Sequence, residues 1–208
     1  TNMDGLEWKR TKFSSSVQHF LMYAEKKAVK NSNYLISDSI GIKTYLKKKY
    51  DVDSTFIAYG TEIFEAFDIQ KITKYNLLDN SYNLLVARIE PENNVELIIK
   101  GVILSKSSRP LMVIGDYTKN KFGKSLYSKY SNHDKINFLG SIYNKEVLNN
   151  LRHYSYFYFH GHSVGGTNPS LLEAMGCSCL IIAHNNEFNK SVLEEDAYYF
   201  NTYKDLAI

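Results

Sequence analysis

The sequence predicts an α/β protein built on a doubly wound parallel sheet. Three observations predict it. From residue 83 onward, short apolar runs bounded by Gly, Asp and Asn alternate with helical stretches, and strands buried on both faces of a parallel sheet read as such near-continuous apolar runs. No tandem repeat or low-complexity segment breaks the alternation. The composition of 208 residues, 44% hydrophobic and 23% charged, is that of a globular chain holding one large domain or one domain plus part of another.

Taken in order, the apolar positions Phe13, Val17, Phe20, Leu21, Ala24 and Ala28 recur at helical spacing and predict a helix over 13–30. "NYLISDS" reads as a short buried strand, "IGIKTYLKKKY" as a helix with a lysine-rich outer face, and "STFIAYG" as a second short strand. A polar stretch covers 61–80. Beyond it, "NLLVARI", "RPLMVIGD", "KINFLG", "SYFYFHG", "CLIIAH" and "AYYF" read as strands. They are separated by helices over 95–106, 121–130, 144–154, 170–176 and 190–195.

Composition narrows the function classes. The net charge of +3 argues weakly against a dedicated nucleic-acid binder. No apolar run approaches the roughly 20 residues of a membrane span, and no signal peptide is read. Cys177 and Cys179 lie in one apolar stretch and read as reduced core thiols of a cytoplasmic protein. The 17 tyrosines and 11 phenylalanines suit packing or sugar stacking alike. Lys47, Lys48 and Lys49 read either as a solvated helix face or as a peripheral contact with an anionic membrane surface.

In an open parallel sheet, ligands bind beyond the carboxyl ends of the strands. The loops there are "ARIEPENNVE", "VIGDYTKNK", "FLGSIYNKE" and "FHGHSVGGTNPSLLE". None matches a P-loop or a G-x-G-x-x-G fingerprint, so no ordinary ATP or NAD site is indicated. Gly165 and Gly166 allow close ligand approach or positive φ. Pro169 suits the first turn of a helix, and Thr167, Asn168 and Ser170 suit caps and donors. Free amides at a helix start attract an anion such as a diphosphate, with Glu173 one turn further in, placed for sugar hydroxyls. A capped helix that binds nothing is the plainer alternative. Arg88, at the end of "NLLVAR", reads as a diphosphate ligand or a solvated strand-end arginine. His160 and His162, with Asp116 as a third ligand, make a poor metal site. His162 reads better as a donor to a phosphate or sugar oxygen, or as structural. Ser163 lacks the G-x-S-x-G elbow of a nucleophile.

These loops resemble the large retaining, family 4-like group of bacterial glycosyltransferases with the two-domain GT-B fold. "ARIEPENNVELIIKG" occupies the place of that family's G-R-x-x-x-x-K loop, and "GGTNPSLLEAMGCSC" that of its E-x7-E motif. Arg88 matches the diphosphate-binding arginine, Glu173 the second, ribose-binding glutamate, and the amides around Asn168, Pro169 and Ser170 the helix-start phosphate contacts. Two positions depart: Gly165 stands for the first glutamate and Asn93 for the lysine. "DGLEWKR-x-K" (Asp4, Gly5, Glu7, Trp8, Lys9, Arg10, Lys12) and Ser163 to Met175 are similar to a subgroup, the β-1,4-rhamnosyltransferases of capsule and lipopolysaccharide synthesis.

The resemblance implies a GT-B type protein whose residues 1–58 end an acceptor domain and whose residues 59–208 form a Rossmann-like donor domain without its final helix, hence a fragment of a longer enzyme. It implies transfer of L-rhamnose from dTDP-rhamnose to a hydroxyl of a lipid-linked polysaccharide precursor at the cytoplasmic membrane face. A UDP- or GDP-sugar donor, or a nucleotide-binding fragment inactive on its own, are the alternatives. Arg88 and Glu173 carry the expected catalytic contacts, with Asp4 and Glu7 orienting the acceptor. The expected donor contacts are His162, Gly165, Gly166, Thr167, Asn168, Pro169, Ser170, Leu171, Gly115 and Asn93. Neither metal nor other cofactor is expected, and nucleic acid is not an expected partner.

Overall fold

The computed structural model describes residues 1–2, 5–10 and 12–207. The chain divides into two compact units. One holds 1–60, 163–168 and 185–195; the other holds 61–162, 169–184 and 196–208.

In the first unit, α1 (Ser15–Asn31), β1 (Ile36–Ser37), α2 (Ile40–Tyr50) and β2 (Thr55–Phe56) follow in order. The strands expected over "NYLISDS" and "STFIAYG" shrink to a two-residue parallel ladder, Ile36 opposite Thr55 and Ser37 opposite Phe56. Ser39 starts α2 by accepting from the Ile42 amide at 3.1 Å, and Asp51 ends it with φ 52°. Leu6, Val29, Leu35, Ile42, Leu46 and Phe188 form the core. A Cβ on Gly41 would stand 2.7 Å from the Phe188 ring, so glycine is what lets that ring lie on α2.

A carboxylate sits inside this unit. Glu25 is 7% exposed and accepts from Trp8 Nε1 (3.0 Å), Tyr45 OH (2.6 Å), Tyr50 OH (2.6 Å) and Lys49 Nζ (2.8 Å). Burial alone would raise its pKa, but the hydrogen bonds from Lys49, Tyr45 and Tyr50 outweigh that and lower it. The Lys49 ammonium also lies 4.8 Å from the Trp8 ring centroid and 5.0 Å from that of Tyr45. Of the lysine-rich face, Lys49 is thus committed inward and Lys47 pairs with Asp51 at 2.8 Å. Among the described residues no helix is long and apolar enough to cross a membrane.

The second unit contains α3 (Gln70–Thr73), β3 (Asn83–Val86), α4 (Val95–Leu104), β4 (Leu111–Ile114), α5 (Lys121–Tyr130), β5 (Ile136–Gly140), α6 (Lys145–His153), β6 (Tyr158–His160), α7 (Pro169–Gly176), β7 (Ile181–His184) and β8 (Tyr198–Phe200). The helix between β7 and β8, α8 (Glu187–Leu193), belongs to the first unit. It starts earlier than the sequence suggests because Asn186 caps it, accepting from the amides of Phe188 and Asn189 at 3.0 Å. The short α3 interrupts the polar stretch; Asp68 accepts from the Gln70 amide there at 3.0 Å.

The six strands form one parallel sheet in the order β5-β4-β3-β6-β7-β8. Alternate residues face opposite sides. Leu85, Val113, Phe159 and Ile182 join α4 residues Ile98, Ile99 and Val102 in the main core. From β3 the chain winds outward to β5, then returns to place β6 on the other side of β3. The order therefore reverses between β3 and β6, and crevices beyond the carboxyl ends of strands open at such a reversal.

Gly115, just past β4, shows how tightly this edge is built: a Cβ there would stand 2.1 Å from the Ala87 carbonyl oxygen. Gly115→Ala is expected to cost about 3 kcal/mol or more, since backbone must move. Gly60→Ala, with nothing within 4 Å of the added Cβ, is expected to stay within about 0.5 kcal/mol. Urea unfolding of the two variants checks the contrast.

Candidate functional site

The two strands flanking the reversal feed the two loops richest in expected site residues. Past β3, the chain leaves the ladder at Ala87. The Glu90 amide donates to the Arg88 carbonyl at 2.8 Å, and Pro91–Asn93 form one 3-10 turn. This turn ends the strand two residues before Arg88 and sends its side chain outward, 53% exposed. Among the described residues Arg88 pairs with the Glu90 carboxylate, which stands 3.9 Å from its Nε, too far for a hydrogen bond.

Past β6, Gly161 lies against the β3 loop. A Cβ on it would stand 2.0 Å from the Asn93 carbonyl oxygen. Asn94 Nδ2 donates to the Gly161 carbonyl at 2.8 Å. Asn93 is buried and turns its amide both ways. Its Nδ2 donates to the Arg88 carbonyl at 2.8 Å, and its Oδ1 lies 2.9 Å from His162 Nδ1. Because Oδ1 only accepts, the proton sits on His162 Nδ1. Arg88, Asn93 and His162 therefore meet in one hydrogen-bonded corner.

α7 begins at Pro169, which is exposed and occupies the helical position where a missing N–H costs nothing. Ser170 Oγ shares a hydrogen bond with Tyr158 OH at 2.7 Å. Leu171 is buried in the core, so a ligand reaches only its backbone. Glu173 accepts from Arg152 Nη2 at 2.5 Å and keeps 39% of its side chain exposed. Sequence reasoning missed Arg152. The only available signal was a cation beside Leu151 on the apolar face of an amphipathic helix.

The loop 163–168 groups with the first unit. Gly165 has φ +92°, and a Cβ on it would meet Leu6 N at 3.2 Å and Gly5 Cα at 3.3 Å. Gly166 faces the Asp38 carboxylate, to which Thr167 N–H donates at 2.7 Å. Thr167 Oγ1 donates to the Asp38 carbonyl at 3.1 Å. A carboxylate of the protein thus holds an amide that the sequence reading reserved for a phosphate. Sequence reasoning also missed Asp38, whose partner is 129 residues away. Asn168 is half-buried. Glu7 pairs with Arg10 at 2.7 Å, and Asp4 lies outside the described residues.

No group of three His, Cys, Asp or Glu residues suited to a metal occurs among the described residues. Asp116 is exposed and accepts from the Thr118 hydroxyl and amide. Both cysteines are free thiols, Cys177 in the core and Cys179 donating to the Arg152 carbonyl at 3.2 Å. His160, 3% exposed, has no hydrogen-bond partner for Nε2 among the described residues. Burial first, then His162 and His184, push its pKa down to about 3.

The folded state therefore keeps His160 neutral while the unfolded chain protonates it near 6.5. That depressed value makes stability fall as pH drops below about 6.5, flattening near 3, at roughly 1.4 kcal/mol per pH unit. Between pH 6.5 and 5 the wild type is expected to lose about 2 kcal/mol through this group, and His160→Leu to lose less. Urea unfolding at the two pH values measures the difference.

The model for a domain of unknown function, DUF1972, matches residues 1–62, and that for glycosyl transferases group 1 matches residues 68–207. Among solved structures, HepE of Anabaena in complex with UDP-glucose shares 16% identity at a TM-score of 0.77, covering 93% of this chain and 57% of its own. Sucrose-phosphate synthase of Thermosynechococcus elongatus shares 17% at 0.74, covering 99% and 55%. A glycosyltransferase from Rickettsia africae shares 16% at 0.68, covering 84% and 51%. These likenesses show the fold, the α/β GT-B type. The chain spans about half the length of these structures. No curated protein shows significant sequence similarity to it. With the group 1 model matching well over half of its residues, the chain belongs to the glycosyl transferases group 1 family.

Proposed function

We propose that the chain binds the donor in a retaining glycosyltransferase that takes a sugar from a nucleoside diphosphate. The observation that carries this reading is the corner at the sheet reversal: an outward Arg88, with no carboxylate in hydrogen-bond range among the described residues, in the same hydrogen-bonded corner as His162 and Asn93, in a unit whose α7 carries Glu173. A guanidinium without a carboxylate in hydrogen-bond range suits a diphosphate bound by two parallel hydrogen bonds. The positive N-terminal end of α7, at Pro169 and Ser170, suits the same anion. Glu173, partly exposed one turn further along, suits a ribose hydroxyl. Charge develops on the departing diphosphate during transfer, so fixed positive groups there lower the barrier. Retention implies attack from the leaving-group side, and no protein nucleophile is assigned.

For the sugar we propose L-rhamnose from dTDP-rhamnose, transferred to a hydroxyl of a lipid-linked polysaccharide precursor. "DGLEWKR" and "SVGGTNPSLLEAM" support it through their resemblance to rhamnosyltransferases. The left-handed backbone of Gly165 supports it too, because it disfavours the glutamate of the wider family. A UDP-sugar is the second reading, favoured by the UDP-glucose held by the similarly folded HepE.

Thermal unfolding with dTDP, UDP or GDP separates the two. A ligand at a hundred times its Kd stabilises by about 2.7 kcal/mol, and dTDP is expected to give the largest rise. A larger rise with UDP supports the second reading, and no rise with any of the three overturns the donor assignment. Arg88→Ala is expected to weaken dTDP binding about tenfold or more, as loss of a charged hydrogen-bond donor does. Unchanged affinity removes Arg88 from the site.

A further inference from the structure

Arg152 is among the largest fully buried side chains, 1% exposed on α6. A guanidinium stays charged at every working pH, and a buried charge persists only when paired and hydrogen-bonded. Its Nη1 donates to Asn149 Oδ1 at 2.9 Å. Its Nη2 donates to Ser170 Oγ at 3.4 Å and to Glu173 Oε2 at 2.5 Å. Ser170 Oγ is itself held by Tyr158 OH, from a fully buried tyrosine on β6.

Glu173 is the one carboxylate paired with Arg152 among the described residues. Only Oε2 is engaged there, and Glu173 Oε1 has no partner among those residues. The nearby ammonium of Lys145 donates instead to Glu62 at 3.0 Å. One oxygen of the carboxylate is thus bound to a group that packing holds still, while the other remains available.

We infer that Arg152 is a positioning residue: it holds Glu173 by Oε2 so that Oε1 is presented to a ribose hydroxyl of the donor. This rests on the donor reading above. It adds that Glu173 has two tasks, counter-ion to a buried arginine and ligand to a sugar, and that the first prepares the second. A glutamate without such an anchor spreads over several rotamers and loses that freedom on binding. Arg152 supplies the ordering beforehand, without touching the nucleotide.

The test compares a nucleoside diphosphate, dTDP, with inorganic pyrophosphate, which lacks the ribose, by calorimetric titration of the chain. Arg152→Met is expected to weaken dTDP about tenfold while leaving pyrophosphate unchanged. Arg152→Lys is expected to recover part of the loss. In a Glu173→Gln background, Arg152→Met is expected to add no further loss, because the two act as one unit. Should Arg152→Met fail to fold, Tyr158→Phe loosens the same guanidinium without removing a charge, and a smaller loss selective for dTDP is expected. Equal weakening of both ligands, or unchanged dTDP affinity, overturns the inference and leaves the donor reading standing if Arg88→Ala still weakens both. Absence of dTDP binding by the wild type overturns the donor reading and this inference together.

Discussion

The carboxyl edge of the sheet depends on the approach of Gly161 to the Asn93 carbonyl, a separation that leaves no room for a side chain. That approach ties Gly161 and His162, the first residues past β6, to the turn after β3. Asn94 ties them through the Gly161 carbonyl, and Asn93 ties them through His162. The same amide pins the Arg88 carbonyl, which leaves the Arg88 guanidinium as the part of that turn facing water. A lysine at 93 has no acceptor to offer, so the His162 Nδ1 proton would lose this partner in the buried corner. Asn93 and His162 are therefore a matched pair in this buried corner.

Each unit buries charged side chains, and two of them, Glu25 and Arg152, are handled differently. Glu25 is closed off: three donors converge on Oε1 and one on Oε2, and the side chain is buried. Arg152 has a single carboxylate among the described residues, and that carboxylate lies partly in water. Desolvating an ion is repaid only when its hydrogen-bonding capacity is filled. By that measure the Glu25 cluster is complete as architecture. The Arg152 cluster holds unused capacity at the buried Nε of Arg152 and at the half-exposed Glu173, and a bound molecule can add to it at Glu173.

Much of this was legible from the residues because it depends on local pattern. The alternation of apolar runs with helical spacing located all six strands of the main sheet, since parallel strands must be apolar on both faces. Gly165 and Gly166 marked a close approach or positive φ, though the approach read from them was a ligand's, not that of Gly5, Leu6 and the Asp38 carboxylate. What could not be read depends on partners distant in sequence. Arg152 meets Glu173 21 residues on, His162 meets Asn93 69 residues back, and Thr167 meets Asp38 129 residues back. A helical wheel places a cation on an apolar face without showing the counter-charge that allows it. The early strands were overdrawn for a similar reason. An apolar run sets burial, but the ladder extends only as far as a neighbouring strand pairs with it, here two residues.

The glycine at 165 is best understood through its surroundings. At φ +92°, with Gly5 and Leu6 backbone at 3.2–3.3 Å from any added Cβ, a glutamate there is both strained and crowded. A loop with no carboxylate of its own leaves its amides to water, to a ligand or to a carboxylate from another element. Here a carboxylate comes from elsewhere in the sequence: Asp38, buried between β1 and α2, receives the Thr167 amide at 2.7 Å and lies against Gly166. The second glycine is as necessary as the first, because a Cβ at 166 would stand 2.5 Å from that carboxylate oxygen. Asp38 thus brings a negative charge to this loop from a different element, and Gly166 leaves the room it needs.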